Sequence, residues 1–167
     1  MPVNLRTTLL AAAAGFSLLL CAQPASSAQK TIRQTVGSDK NYSSLVALIK
    51  TAGMTKELSG KARYTLIAPT NKAFKALGTT SRERLAKDRD YARTVLRHHM
   101  LKGAVKAANL LALDGKTITP LASDPIPVAV KRGTLLLNET AKLIKTDIEA
   151  SNGLVHVSNR VLLPPTE

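Results

Sequence analysis

The apolar residues of this chain change their period near Lys116, and that change limits the folds open to it. Before Lys116 most apolar positions follow helical spacing; after it they fall in short runs rich in Val, Ile, Leu and Thr. One stretch breaks this order. Ala62 to Ala68 reads as a strand inside the helical half, and it stops at Pro69 in "YTLIAPTNKAF". Proline has no N–H to give a sheet ladder, so the strand ends there. Thr70 is placed as an N-cap, whose hydroxyl accepts a free amide of the next turn. Asn71 begins that helix, Ala73, Phe74 and Leu77 face inward, and Gly78 ends it. Each residue of the joint has a structural task, and none forms a nucleophile with a base beside it. The early strand must join the later sheet, so the expected class is α+β.

Around this strand the helical half divides readily. "NYSSLVALIKTAG" has helical spacing at Leu45, Val46, Leu48 and Ile49, with Asn41 or Ser43 as cap and Gly53 as stop. "MTKELSG" adds a turn ending at Gly60. "SRERLAK" is a short helix capped by Ser81, and "DRDYARTVLRHHM" another. In the latter, Asp88 and Asp90 near the start and Arg97 near the end suit the helix dipole. Tyr91, Val95 and either His98 or His99 share a face. "VKAANLLALDG" is a short helical turn, whereas Gln29 to Lys40 is polar and expected to be a loose lead-in. In the β half, Lys131-Arg132-Gly133, Asn138-Glu139 and Asn152-Gly153 read as turns.

The N-terminus has the order of a secretory signal peptide. Met1 to Arg6 carries a positive charge, Thr7 to Ala22 is apolar, and small residues end at Ala28. The apolar run falls short of the about 20 residues of a comfortable transmembrane helix. Residues 1–28 are thus expected to be removed, leaving a lead-in over 29–40 and a domain over 41–165, in a secreted or periplasmic setting. Cys21 ends the apolar run, but Leu20 stands where a lipid-attachment site has a small residue. Cleavage after Ala28 would leave no cysteine, so a domain of this size would rely on its core and not on disulfides. The formal charge is +13, or +12 without Arg6 (23 Lys+Arg against 11 Asp+Glu). Such a balance favours anionic surfaces, namely acidic polysaccharide or lipid head groups. Nucleic acid is not expected: with aromatics at 3% and no Trp, stacking platforms are scarce.

Three stretches together resemble fasciclin (FAS1) domains. "YTLIAPTNKAF" is similar to the family's first motif, "VLRHHMLKG" to its central motif, and "SNGLVHVSNRVLLPP" to its closing motif. The likeness runs from about Asn41 to Pro165. It implies a FAS1-type wedge of two small β-sheets with helices packed on one side. It also implies a non-enzymatic module for cell adhesion or for contact with cell-surface or matrix components. Pro69, Thr70, Asn71, Phe74, His99, Asn152, Gly153 and His156 carry the motifs as structural residues. His98 stands where the family has Tyr, so any role of that hydroxyl does not transfer. Asp147-Ile148 matches a pair implicated in integrin binding in matrix members, though Thr146 and Glu149 differ from their neighbours there. The plain reading makes Asp147 a solvated acid and Ile148 a core residue on the opposite face.

No catalytic constellation is expected. Asp147 and Glu149 would share a strand face, but Lys145 and the basic surface keep both ionised, unlike a glycosidase pair. "LDGKT" lacks the first glycine of a phosphate loop, and no G-x-S-x-G is present. His98, His99 and His156 are read as structural, with neither metal nor cofactor, since neighbouring histidines point apart. Candidate partner-binding residues are therefore Arg89, Arg93 and Arg97 in the basic helical half, with Asp147 and Ile148 as rivals. A carrier of an apolar ligand such as a carotenoid, and a binder driven by charge alone, are the alternatives.

Overall fold

The computed structural model describes residues 29–164; the proposed signal peptide lies outside the described residues. Its helices are α1 (Ile32–Gly37), α2 (Ser43–Thr51), α3 (Thr55–Ser59), α4 (Asn71–Lys75), α5 (Thr79–Lys87), α6 (Arg89–His98) and α7 (Ala107–Leu111). Its strands are β1 (Tyr64–Pro69), β2 (Met100–Lys102), β3 (Thr117–Ile118), β4 (Ile126–Lys131), β5 (Thr134–Leu137), β6 (Ala141–Ala150) and β7 (Gly153–Ser158). The early strand does join the later sheet. The hydrogen-bonded order is β2-β1-β7-β6-β5-β4-β3, and β1 lies parallel to β7 while the other pairs are antiparallel. The two small sheets implied by the resemblance are thus halves of one curled order that share β6. That strand pairs β5 through Lys142 and Ala141, then turns to β7 through register shifts between Leu143 and Ile148.

A continuous apolar run suits β1 because both of its faces are covered. Leu66 and Ala68 enter one core with Leu45, Leu48, Ile49, Leu58, Val95 and Leu96 of the helices. Ile67, on the opposite face, enters a second core with Leu101, Leu110, Val128, Leu137, Leu143 and Leu162. The period-two alternation of a strand thereby stitches two cores together. A two-residue turn joins β4 to β5, and the three residues Asn138, Glu139 and Thr140 join β5 to β6. Arg132 and Gly133 have φ of 50° and 71°, and Asn138 and Glu139 have 51° and 58°. Paired left-handed residues of this kind match the twist of the strands they join.

Three local expectations are corrected. The lead-in expected to be loose contains helix α1: Thr31 and Gln34 form a reciprocal capping box, and Ile32 and Val36, four apart, are fully buried. Six residues were too few to show a period against a polar background. Neither Asn41 nor Ser43 caps α2; the cap position is Tyr42, which makes no side-chain cap bond. Ser81 lies inside α5, which starts after Gly78.

Candidate functional site

The Pro69–Thr70–Asn71 joint stands where β1 leaves the sheet. Pro69 pairs in register with Ser158, and the Thr70 N–H donates to the Ser158 carbonyl at 3.2 Å. The Thr70 hydroxyl accepts from the Ala73 N–H at 3.3 Å, capping α4 as the sequence suggests. Phe74 is buried below it. Asn71 begins α4 and also reaches back to α2. Its Oδ1 accepts from the Ser44 N–H at 3.0 Å, and its Nδ2 donates to the Lys40 carbonyl at 2.8 Å and the Ser43 hydroxyl at 3.0 Å. The missing cap of α2 is therefore supplied from another part of the chain.

Asn152 does the same work at the other end of the β1–β7 pair. Its side chain is buried at 3% exposure, with Oδ1 accepting from the Ile32 N–H at 2.8 Å. Its Nδ2 donates to the Leu58 and Gly60 carbonyls at 2.9 and 3.0 Å. One amide thus satisfies the first donor of α1 and the trailing acceptors of α3. Gly153 follows with φ of 146°, and a Cβ there would overlap the Tyr64 carbonyl. Glycine is required at this point of close approach. Asn152 is thus a buried tie as well as a turn residue. The sequence signal available for both asparagines was their place directly beside a strand end.

The buried histidines are also engaged. His99 donates from Nδ1 to the Val95 carbonyl at 2.7 Å and accepts at Nε2 from the Leu162 N–H at 2.9 Å. Burial lowers its pKa to about 4, opposed by the Val95 carbonyl and aided by the neighbouring His98. His156 accepts at Nδ1 from the Asp147 N–H at 3.1 Å and donates from Nε2 to the Val105 carbonyl at 2.8 Å. His98, at the family's Tyr position, is buried with its Nδ1 unpartnered; burial lowers its pKa and Asp124 opposes this. His99 and His156 point their nitrogens at separate backbone groups. Among the described residues, no three His, Cys, Asp or Glu side chains converge on a metal position.

Asp147 departs from its plain reading. It sits at the β6 bulge with φ of 56°, and its Oδ1 accepts from the Ala107 N–H at 2.9 Å, at the first turn of α7. An exposed carboxylate is here also a structural tie, drawn round by the left-handed backbone. Ile148 is half-buried against the helical core, as expected.

The basic helical face is exposed. Arg89, Arg93 and Arg97 recur every four residues along α6, whose start is capped by the Asp88 carboxylate. Much of this face is neutralised. Arg93 pairs with Glu57 at 3.5 Å, Arg84 with Asp88 at 3.7 Å and Lys87 with Glu83 at 3.7 Å. Arg84 also stacks on Tyr91, 4.2 Å from the ring centroid. An apolar groove between α2 and α5, lined by Leu48, Phe74, Leu85 and Arg82, holds about 230 Å³. No helix among the described residues is long and apolar enough to cross a membrane.

Helices stacked on one curled sheet, with polar motif residues turned inward onto backbone groups, define a small α+β module assembled around internal ties. The comparisons give that class its family. The Fasciclin domain model matches residues 40–164, and the chain belongs to the fasciclin family. It is 34% identical over 145 residues to protein sll1483 of Synechocystis, covering 86% of this chain and 78% of that one. It is 33% identical over 135 residues to transforming growth factor-beta-induced protein ig-h3 of Sus scrofa, covering 81% of this chain but 19% of that protein. Among solved structures, a FAS1 domain pair from the insect cell adhesion molecule fasciclin I superposes with a TM-score of 0.69 at 18% identity, covering 83% of this chain and 51% of that one. That likeness bears out the expected fold.

Proposed function

We propose that this chain is a secreted or periplasmic, non-enzymatic module that holds cell-surface or matrix components. The carrying observation is the disposition of its polar motif residues. Thr70, Asn71, His99, Asn152 and His156 are committed to backbone groups of the domain itself, which leaves an exposed, strongly basic exterior for recognition. Similarity to ig-h3 and to a domain pair from a cell adhesion molecule supports the same reading. On this view affinity is led by charge, with Arg89, Arg93 and Arg97 contributing to the general field. Asp147-Ile148 is the local rival, but Asp147 already holds α7. The apolar-carrier alternative has the α2–α5 groove behind it, about 230 Å³ against roughly 300–1,000 Å³ for ordinary ligand pockets.

The test is retention of the purified protein, fluorescently labelled, on whole cells and on cell-free surface matrix across a salt series. Retention that falls steadily as salt rises is expected, since exposed charges act over about 8 Å at physiological ionic strength. Asp147→Ala should lower stability and leave retention of the folded fraction unchanged. No retention on either material at low salt would sink the proposal. Salt-independent retention abolished by Asp147→Ala would move the site to β6.

A further inference from the structure

The helix that replaces the expected lead-in builds a second basic surface, and this one is concave. Lys30, Arg33, Gln34, Gly37 and Ser38 on the α1 side face Val46 and Lys50 of α2 across an open cleft of about 480 Å³. Three cations line it and no carboxylate does. None of the three takes part in the ion pairs found among the described residues, which fall on α3, α5, α6 and the Asp88 cap. The nearest acid in sequence, Asp39, turns its Oδ1 to the Asn41 N–H at 2.9 Å and does not line the cleft. Lys30 Nζ lies 3.4 Å from the Ser38 hydroxyl, so this cation lies along the α1 wall of the cleft.

We propose that this α1–α2 cleft binds a segment of an acidic polysaccharide, with Lys30, Arg33 and Lys50 meeting its carboxylate or sulfate groups. This inference rests on the surface-binding function proposed above and gives it a site and a ligand class. The lining chemistry selects the class. Gln34 carries an amide nitrogen that its capping box, made through Oε1, does not use, whereas the Ser38 hydroxyl is already engaged, donating to the Gln34 carbonyl at 2.6 Å. Half-buried Val46 offers a small apolar patch suited to the C–H edge of a sugar ring. Cations set in a concave trough suit a chain laid along it. A bilayer surface instead favours an amphipathic face with large apolar residues, or an unstructured basic segment. Nucleic acid lacks an aromatic platform here, because no aromatic residue lines the cleft.

The experiment uses the purified protein at about physiological salt, with alginate and dextran sulfate as probes, neutral dextran as blank, and phosphatidylglycerol vesicles as the competing surface. The variant Arg33→Gln/Lys50→Gln removes two cleft charges. Arg89→Gln/Arg97→Gln removes the same charge from α6 and serves as control. Thermal melts confirm folding, and Arg33→Lys/Lys50→Arg restores charge in the same helices should the first variant melt early. The cleft variant is expected to lose about tenfold in affinity for alginate or dextran sulfate, and the control less than about threefold. The charge-restoring variant should bind within about threefold of the parent. Response to dextran sulfate but not alginate would assign the ligand as sulfated, and the reverse as carboxylated; either supports the cleft. Equal losses in the two variants would show that net charge alone governs binding, and would overturn the site. Binding to vesicles without binding to either polysaccharide would overturn the ligand class. Retention on cells that persists in the cleft variant would leave the surface-binding function standing and remove this inference alone.

Discussion

The parallel β1–β7 pair carries an asparagine at each end, and the two differ in depth. Asn152, before β7, is sealed between α1, α3 and the sheet; Asn71, after β1, is half-buried beside α2. Each satisfies a helix amide that its own segment leaves orphaned, Ile32 for one and Ser44 for the other. The same side chain should therefore be worth different amounts at the two ends. A buried group that loses its partner pays its full desolvation cost, whereas water can replace a lost partner near the surface.

The largest effect is expected at the buried end. Asn152→Ala orphans the Ile32 N–H and the Leu58 and Gly60 carbonyls, and should cost about 4 kcal/mol. Urea unfolding would show it as a lower midpoint at unchanged slope. A loss below about 1 kcal/mol would mean that water enters and that the depth of Asn152 does not matter.

Acid tests the Asn71 end through a different joint. His99 accepts the Leu162 N–H, just beyond the strand end where Pro69 meets Ser158. Its pKa is depressed from 6.5 to about 4 in the folded state, so between these values the unfolded chain binds more protons. Stability from this group is complete above about pH 6.5 and is lost as pH falls through about 4, amounting to about 3 kcal/mol. His98, also lowered by burial, acts in the same direction. An NMR titration of the imidazole rings separates the two. A His99 ring titrating near 6.5 in the folded protein would break the account.

The smallest effects belong to the half-buried joint itself. Asn71→Ala should cost about 1.5 kcal/mol, through α2, and Thr70→Ala about 1 kcal/mol, through α4. The comparison sharpens if Asn71→Ala increases amide exchange at Ser44 while Thr70→Ala does so at Ala73. It fails if Asn71→Ala destabilises as much as Asn152→Ala.

Much of this frame was legible beforehand, for definable reasons. The strand stop at Pro69, the Thr70 cap, the hairpin at Arg132-Gly133 and the period change near Lys116 are local properties, set by neighbouring residues and backbone sterics. The family motifs made the FAS1 architecture readable as well. The α1 helix was not legible, because its two buried residues, Ile32 and Val36, make one pair and no repeat. The basic cleft was hidden with it, since Lys30 and Arg33 meet Lys50 only after α1 docks on α2.

By itself, then, the chain determined its class, its strand ends, its turns and the sign of its surface, all of which follow from residue type and short-range spacing. The tertiary structure alone decided which asparagine is sealed, that Asp147 bends round to hold α7, and which cations stay unpaired. Those outcomes depend on groups 27, 40 and 120 residues apart meeting in space. Hydrogen bonds and charges act over a few ångströms, so contacts of that kind exist only after two cores have brought the partners together.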